Sequence, residues 1–189
     1  MSGIFEGCSN LQEIEIKNFK TKKVEKMDNM FAGCKSLSSI DLTALNTENV
    51  ISMNGLFSDD ILLKEINLDN FDTKNVEDIG FMFSGCGSIK SLNLRKFNTK
   101  KLKNIGFMFL GCDSLTSINL DNFDTTNVKN MAHTFANCKS LKNINLNNFK
   151  TGNVTSFFGM FSGCINLENI IINSFDTNNA EDISAMFHK

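Results

Sequence analysis

The stretch Ser114–Cys138, SLTSINLDNFDTTNVKNMAHTFANC, decides the fold because it comes back elsewhere as Leu63–Cys86, LKEINLDNFDTKNVEDIGFMFSGC. Laying one on the other places Phe135 over Phe83, Thr125 over Thr73 and Cys138 over Cys86. Working outward, phenylalanine returns every 26 residues at Phe5, Phe31, Phe57, Phe83, Phe109, Phe135, Phe161 and Phe187. Threonine fills a second column at Thr21, Thr47, Thr73, Thr99, Thr125, Thr151 and Thr177. A third column holds Cys8, Cys34, Cys86, Cys112, Cys138 and Cys164, with Asp60 in the remaining place. No insertion or deletion breaks the step. Self-similarity at a fixed period is the mark of stacked repeats. The expected organisation is a single solenoid domain over 1–189, in seven repeats: 5–30, 31–56, 57–82, 83–108, 109–134, 135–160 and 161–186.

Each unit reads as two different periods. Leu115, Ile118 and Leu120 face inward while Ser117, Asn119 and Asp121 face out, the pattern of a short half-buried strand. Beyond the threonine, Val24, Met27, Met30 and Phe31 lie on one face at helical spacing. This predicts a short helix, capped by the threonine hydroxyl. Its end is set by the column Gly7, Gly33, Asp59, Gly85, Gly111, Asn137 and Gly163, whose residue types tolerate a left-handed backbone. Gly80 and Gly106 fall inside the pattern and predict shorter or 3₁₀ turns there. Parallel strands stack about 4.8 Å apart and helices about 8–10 Å apart, so such an array must bend. The predicted fold class is an α/β repeat: a horseshoe solenoid with a parallel sheet on the concave side and short helices on the convex side.

Written as a consensus, the unit is L-x-x-I-x-L-x-x-F-x-T-x-x-V-x-x-M-x-x-M-F-x-G-C, and with its NFDTxNV string it resembles the BspA-type leucine-rich repeat. That resemblance covers essentially the whole chain. It implies a cell-surface or secreted protein engaged in adhesion or partner binding, without enzymatic activity in the repeats. No lipobox, wall anchor or capping segment is recognisable in the sequence, so an excised stretch of a longer array is expected.

Composition narrows the function classes. The 189 residues carry a net charge of -2, with 41% hydrophobic and 21% charged residues, which describes a globular chain without a polyanion-binding bias. No nucleic-acid partner is expected. Proline, tryptophan and tyrosine are absent, and 18 phenylalanines carry the aromatic core. Only His133 and His188 are available for histidine chemistry, so no catalytic residue, metal site or cofactor is expected.

Each candidate site has a packing alternative. The in-line cysteines point the same way rather than at one another, which predicts buried free thiols instead of disulfides. Asp60, beside Asp59, is expected to distort its turn until a carboxylate reaches water, with a cation site as the alternative. A regular threonine row can present hydroxyls to ice or a mineral, but capping is the simpler reading. The outward strand positions remain: Glu65, Asn67, Asp69, Asn93, Arg95, Asn119, Asp121 and Asn145 are the predicted partner-binding residues, for a protein or glycan ligand. A stabilising amide ladder through Asn67, Asn93, Asn119 and Asn145 is the competing reading, and a ligand-free spacer within a surface stalk is the alternative function. Arg95, Lys96, Lys100, Lys101 and Lys103 concentrate positive charge in one unit. Phe81 and Phe107 form an apolar column suited to lateral or end-to-end self-association or to further core packing.

Overall fold

The structure, a computed structural model, describes residues 1–188. Each repeat makes one coil, and each coil lies in parallel on the next. Bridges run through Lys26, Ser52, Asp78, Asn104, Asn130, Ser156 and Asp182, every residue joined to its equivalent one repeat on. Regular strand pairing covers only part of the predicted strand wall. Among the described residues regular strand forms in two places, β1 (Asn143–Asn145) and β2 (Asn169–Ile171), paired in parallel with Asn143 opposite Asn169 and Ile144 opposite Ile170.

The predicted convex helices are the main correction: among the described residues there is no helix. The hydrogen bonds give the reason. An α-helix needs each N–H for the carbonyl four residues back. Here alternate N–H groups leave the turn altogether. Those of Met27, Asn29, Phe31 and Gly33 donate to the carbonyls of Ser52, Asn54, Leu56 and Ser58 in the next repeat, at 3.0, 2.8, 3.0 and 2.7 Å. The intervening N–H groups of Met30, Ala32 and Cys34 close tight turns onto Met27, Asn29 and Phe31. Met27, Met30, Phe31 and Cys34 therefore share an inner face, as a helix would have placed them, but the backbone is a stack of turns.

Two left-handed residues per coil make this path. The predicted column is one of them, from Gly7 (φ 74°) through Asp59 (60°) and Asn137 (57°) to Gly163 (72°). The second was not foreseen: Gly3, Asn29, Gly55, Phe81, Phe107, His133, Gly159 and Ala185 all have φ between 53° and 64°. A bulky side chain in that region is uncommon and strained, so Phe81 and Phe107 are held there by the bonds of the repeats on either side.

The core is a file of stacked rings. From Phe5 to Phe187, successive phenylalanines of the column lie 5.5–6.0 Å apart, centroid to centroid, with interplanar angles of 15° or less. Turns stacked this closely do not need the 8–10 Å that helices would. The predicted cause of a strong bend is gone.

Candidate functional site

All eight predicted partner-binding residues are exposed on the strand wall. The buried residues between them fix their direction: Leu92 and Leu94 point into the core, so Asn93 and Arg95 point out. The wall is not uniform. A groove of about 750 Å³ opens between Lys64, Glu65, Ile66, Ser88, Lys90, Ser91, Asn93 and Ser114. A second, of about 300 Å³, adjoins it and is lined by Ser91 to Arg95 and Ser117 to Asn119. The two share Ser91 and Asn93. Glu65, Asn93, Arg95 and Asn119 are thus brought together across the third to fifth repeats, whereas Asn67, Asp69, Asp121 and Asn145 lie outside both grooves. Ser91 and Ser117 are outward strand positions of the repeat, whereas Lys64, Ser88, Lys90 and Ser114 were not among the candidates, although their positions were readable in the repeat.

The predicted amide ladder does not form among the described residues. Each asparagine of that column closes its own turn instead: the Asp69, Arg95, Asp121 and Asn147 N–H groups donate to Asn67, Asn93, Asn119 and Asn145 Oδ1, at 2.9, 3.3, 3.0 and 3.0 Å. These are Asx turns. They leave the side-chain NH₂ of Asn67 and Asn145 unpartnered among the described residues. Asp69 is half-occupied by an ion pair with Lys96 at 3.3 Å. Arg95 forms no ion pair among the described residues.

Other amides do bind along the stack. Asn122 Nδ2 reaches the carbonyls of Leu94, Arg95 and Phe97, and Asn148 Nδ2 those of Leu120, Asp121 and Phe123. Asn49, Asn75, Asn127, Asn153 and Asn179 each donate to a carbonyl 27 residues earlier. These columns are clamps between coils, which removes them from the list of ligand contacts.

The threonine and cysteine columns are structural too. Thr125 is fully buried, so it offers no hydroxyl row to ice or mineral. Its hydroxyl spans to the next repeat and does not cap a helix. Cys34, Cys86, Cys112, Cys138 and Cys164 are buried free thiols, as predicted, and Cys8 is exposed. Burial pushes the Cys34 thiol up to about 12, with Asp60 adding to the shift, and it raises Cys86 and Cys112 strongly. Asp60 does not reach water: it is 0% exposed, correcting the expected distortion. No cluster of three metal-ligating side chains occurs among the described residues.

On the turn wall, Phe81 and Phe107 stack at 4.4 Å, His133 tilts against Phe107 at 4.9 Å, and Phe158 meets His133 edge-on at 4.8 Å. Phe81, Phe107 and His133 belong to the second left-handed column, and Phe158 joins them from the position before Gly159. Lys103 of the basic unit is paired with Glu77 at 2.6 Å, and Lys101 donates to Asn75.

The family described as Mycoplasma protein of unknown function, DUF285, matches residues 1–119 and again 107–189. The chain belongs to this DUF285 family. The BspA-type reading of its repeats agrees with that assignment. Among curated proteins none matches the sequence. Of solved structures, a Treponema pallidum leucine-rich-repeat protein is similar at 23% identity and a TM-score of 0.53, over 78% of this chain and 63% of its own. The DUF285 chain thus spans less than two thirds of that relative, and the likeness places it among leucine-rich-repeat solenoids. A leucine-rich cell surface protein from Faecalibacterium prausnitzii A2-165 is 18% identical with a TM-score of 0.25, over 93% of this chain and 76% of its own.

Proposed function

We propose that this DUF285 chain is a non-enzymatic interaction scaffold, displayed at a cell surface or secreted, whose strand wall binds an extended protein or glycan. One observation carries the reading: two adjoining grooves share Ser91 and Asn93, and four of the residues singled out for binding line them. Their side chains supply amide, hydroxyl, carboxylate and guanidinium groups whose identities core packing does not dictate. A rigid wall that holds such groups in register loses little freedom on binding, which favours an elongated ligand crossing several repeats. The surface location rests on the family resemblance alone.

A ligand-free spacer is the second reading, and it has its own support: several outward asparagines already spend one polar atom on their own turns. The two part on one experiment. The chain is offered to a matrix-protein and glycan array beside a triple variant, Asn93→Ala, Arg95→Ala, Asn119→Ala. The scaffold reading expects capture by the native chain and loss in the variant at an unchanged melting temperature. Capture by neither, or by both equally, removes the groove as the binding site.

A further inference from the structure

Five turns repeat one contact. The thiols of Cys34, Cys86, Cys112, Cys138 and Cys164 each donate to a phenylalanine carbonyl 29 residues back, Phe5, Phe57, Phe83, Phe109 and Phe135, at 2.9–3.3 Å. Position 60 belongs to the same column, and the carbonyl 29 residues back from it is that of Phe31. There the residue is aspartate, fully buried. Its Oδ1 accepts the Cys34 N–H at 2.7 Å, and its Oδ2 has no partner.

An ionised carboxylate fits this place badly. It has only acceptors, whereas the other turns of this column place a donor there, on a carbonyl that, like that of Phe31, also accepts an N–H within its own turn. The ionisable groups that face it are Cys34 on one side, Cys86 on the other and Asp59 in its own turn. None of these is a cation, and no lysine, arginine or histidine lies within 4.0 Å among the described residues. A buried charge without a counter-charge is strongly disfavoured. The protonated acid fits well, because it accepts at one oxygen and donates from the other, as the thiol does.

We infer that Asp60 folds as the neutral carboxylic acid, its proton serving the Phe31 carbonyl where five other turns use a thiol, and that losing this proton to solvent unclasps the seam between the turns at Phe31 and Phe57. The joint is firm in acid and loosened by alkali. Burial first, and the neighbouring Asp59 charge after it, push the Asp60 carboxyl up to about 8, against the lowering effect of the Cys34 N–H bond. A raised folded value means that the contribution is whole below the unfolded value of about 4 and is lost as pH rises through about 8.

The test is urea unfolding of the full chain from pH 5 to pH 9, beside Asp60→Asn and Asp60→Cys. Asparagine keeps one acceptor and one donor without a charge, and cysteine restores the column. The native unfolding constant is expected to rise against that of Asp60→Asn by up to about tenfold per pH unit. Once the base-catalysed rise common to all amides is divided out, protection of the Cys34 amide is expected to fall over the same interval in the native chain only. If Asp60→Cys does not fold, Asp60→Asn supplies the comparison, and the native chain alone supplies a third reading. Its infrared spectrum should hold a protonated-carboxyl band at pH 6.5 that vanishes by pH 10. Parallel pH profiles for native and Asn chains, or no such band at pH 6.5, would overturn the inference.

Discussion

The hydroxyl of Thr125 holds both backbone polar groups of one residue in the next coil: it donates to the Lys150 carbonyl at 3.0 Å and accepts the Lys150 N–H at 2.8 Å. Thr21 does the same to Asn46, and Thr151 to Asp176. Valine has the shape of threonine and neither bond. Thr125→Val therefore leaves a partly buried N–H and a partly buried carbonyl unpaired, at about 1–2 kcal/mol for each group. The expected result is a loss of about 2–4 kcal/mol in denaturant unfolding. A cap on an exposed helix end would have cost about 1 kcal/mol, so the size of the effect separates the two roles.

How much of this was legible depends on which direction a hydrogen bond takes. The repeat, its columns and the inward faces are properties of side-chain spacing, and Phe83 or Cys112 sits where the sequence puts it. The turn wall is different. Met27, Met30, Phe31 and Cys34 occupy one face in a helix and in a stacked turn alike, and spacing cannot tell whether the Phe31 N–H stays in its own coil or crosses to Leu56. A signal did exist, in the glycines and asparagine at 3, 29, 55 and 159, but Phe81, Phe107 and His133 in the same column masked it. Likewise Asn119 and Asn122 look equivalent as letters. Only the path of the chain shows that one closes a local turn and the other clamps a neighbour.

That correction has a spectroscopic consequence. A wall of seven short helices would give far-ultraviolet circular dichroism with the paired helical minima. Stacked turns and short parallel strands should give a weak, strand-like spectrum with neither. A clear helical signature in the folded chain would reject the turn wall.

The two asparagines can be separated by stability. Asn122→Ala removes a side chain that reaches three carbonyls of the preceding coil, Leu94, Arg95 and Phe97. A cost of about 1–2 kcal/mol is expected. Asn119→Ala removes an exposed residue bonded only within its own turn, to the Asp121 N–H and the Asp121 carboxylate. Its cost should stay within about 0.5 kcal/mol, as for ordinary surface changes. Equal losses in urea melts would mean that the strand wall, too, is mainly a clamp.

The thiols give a count that can be read directly. A thiol attacks as the thiolate, and burial keeps the five inner ones protonated. A chromogenic disulfide reagent at pH 7, below the range in which Asp60 ionises, should label Cys8 alone in the folded chain, and the remaining five only in denaturant. Rapid labelling of more than one thiol without denaturant would contradict the buried column.

The acid at position 60 and the groove are neighbours along the chain, and this links the two proposals. The Leu63 N–H donates to the Asp60 carbonyl at 3.0 Å, and the next two residues, Lys64 and Glu65, form one side of the larger groove. When Asp60 ionises, the turn that anchors Leu63 loosens, and the groove loses the registration of that side. A ligand captured on the array should therefore be held more weakly by the native chain as pH rises from 6 to 9, with the change centred near 8, where the raised carboxyl titrates. Asp60→Cys removes the buried carboxyl, so it should hold the same ligand with a nearly flat profile. Surface plasmon resonance of both chains across that range measures the difference. If the two profiles fall together, the pH dependence belongs to the ligand or to the groove's own charges, and Asp60 governs the seam without governing the site.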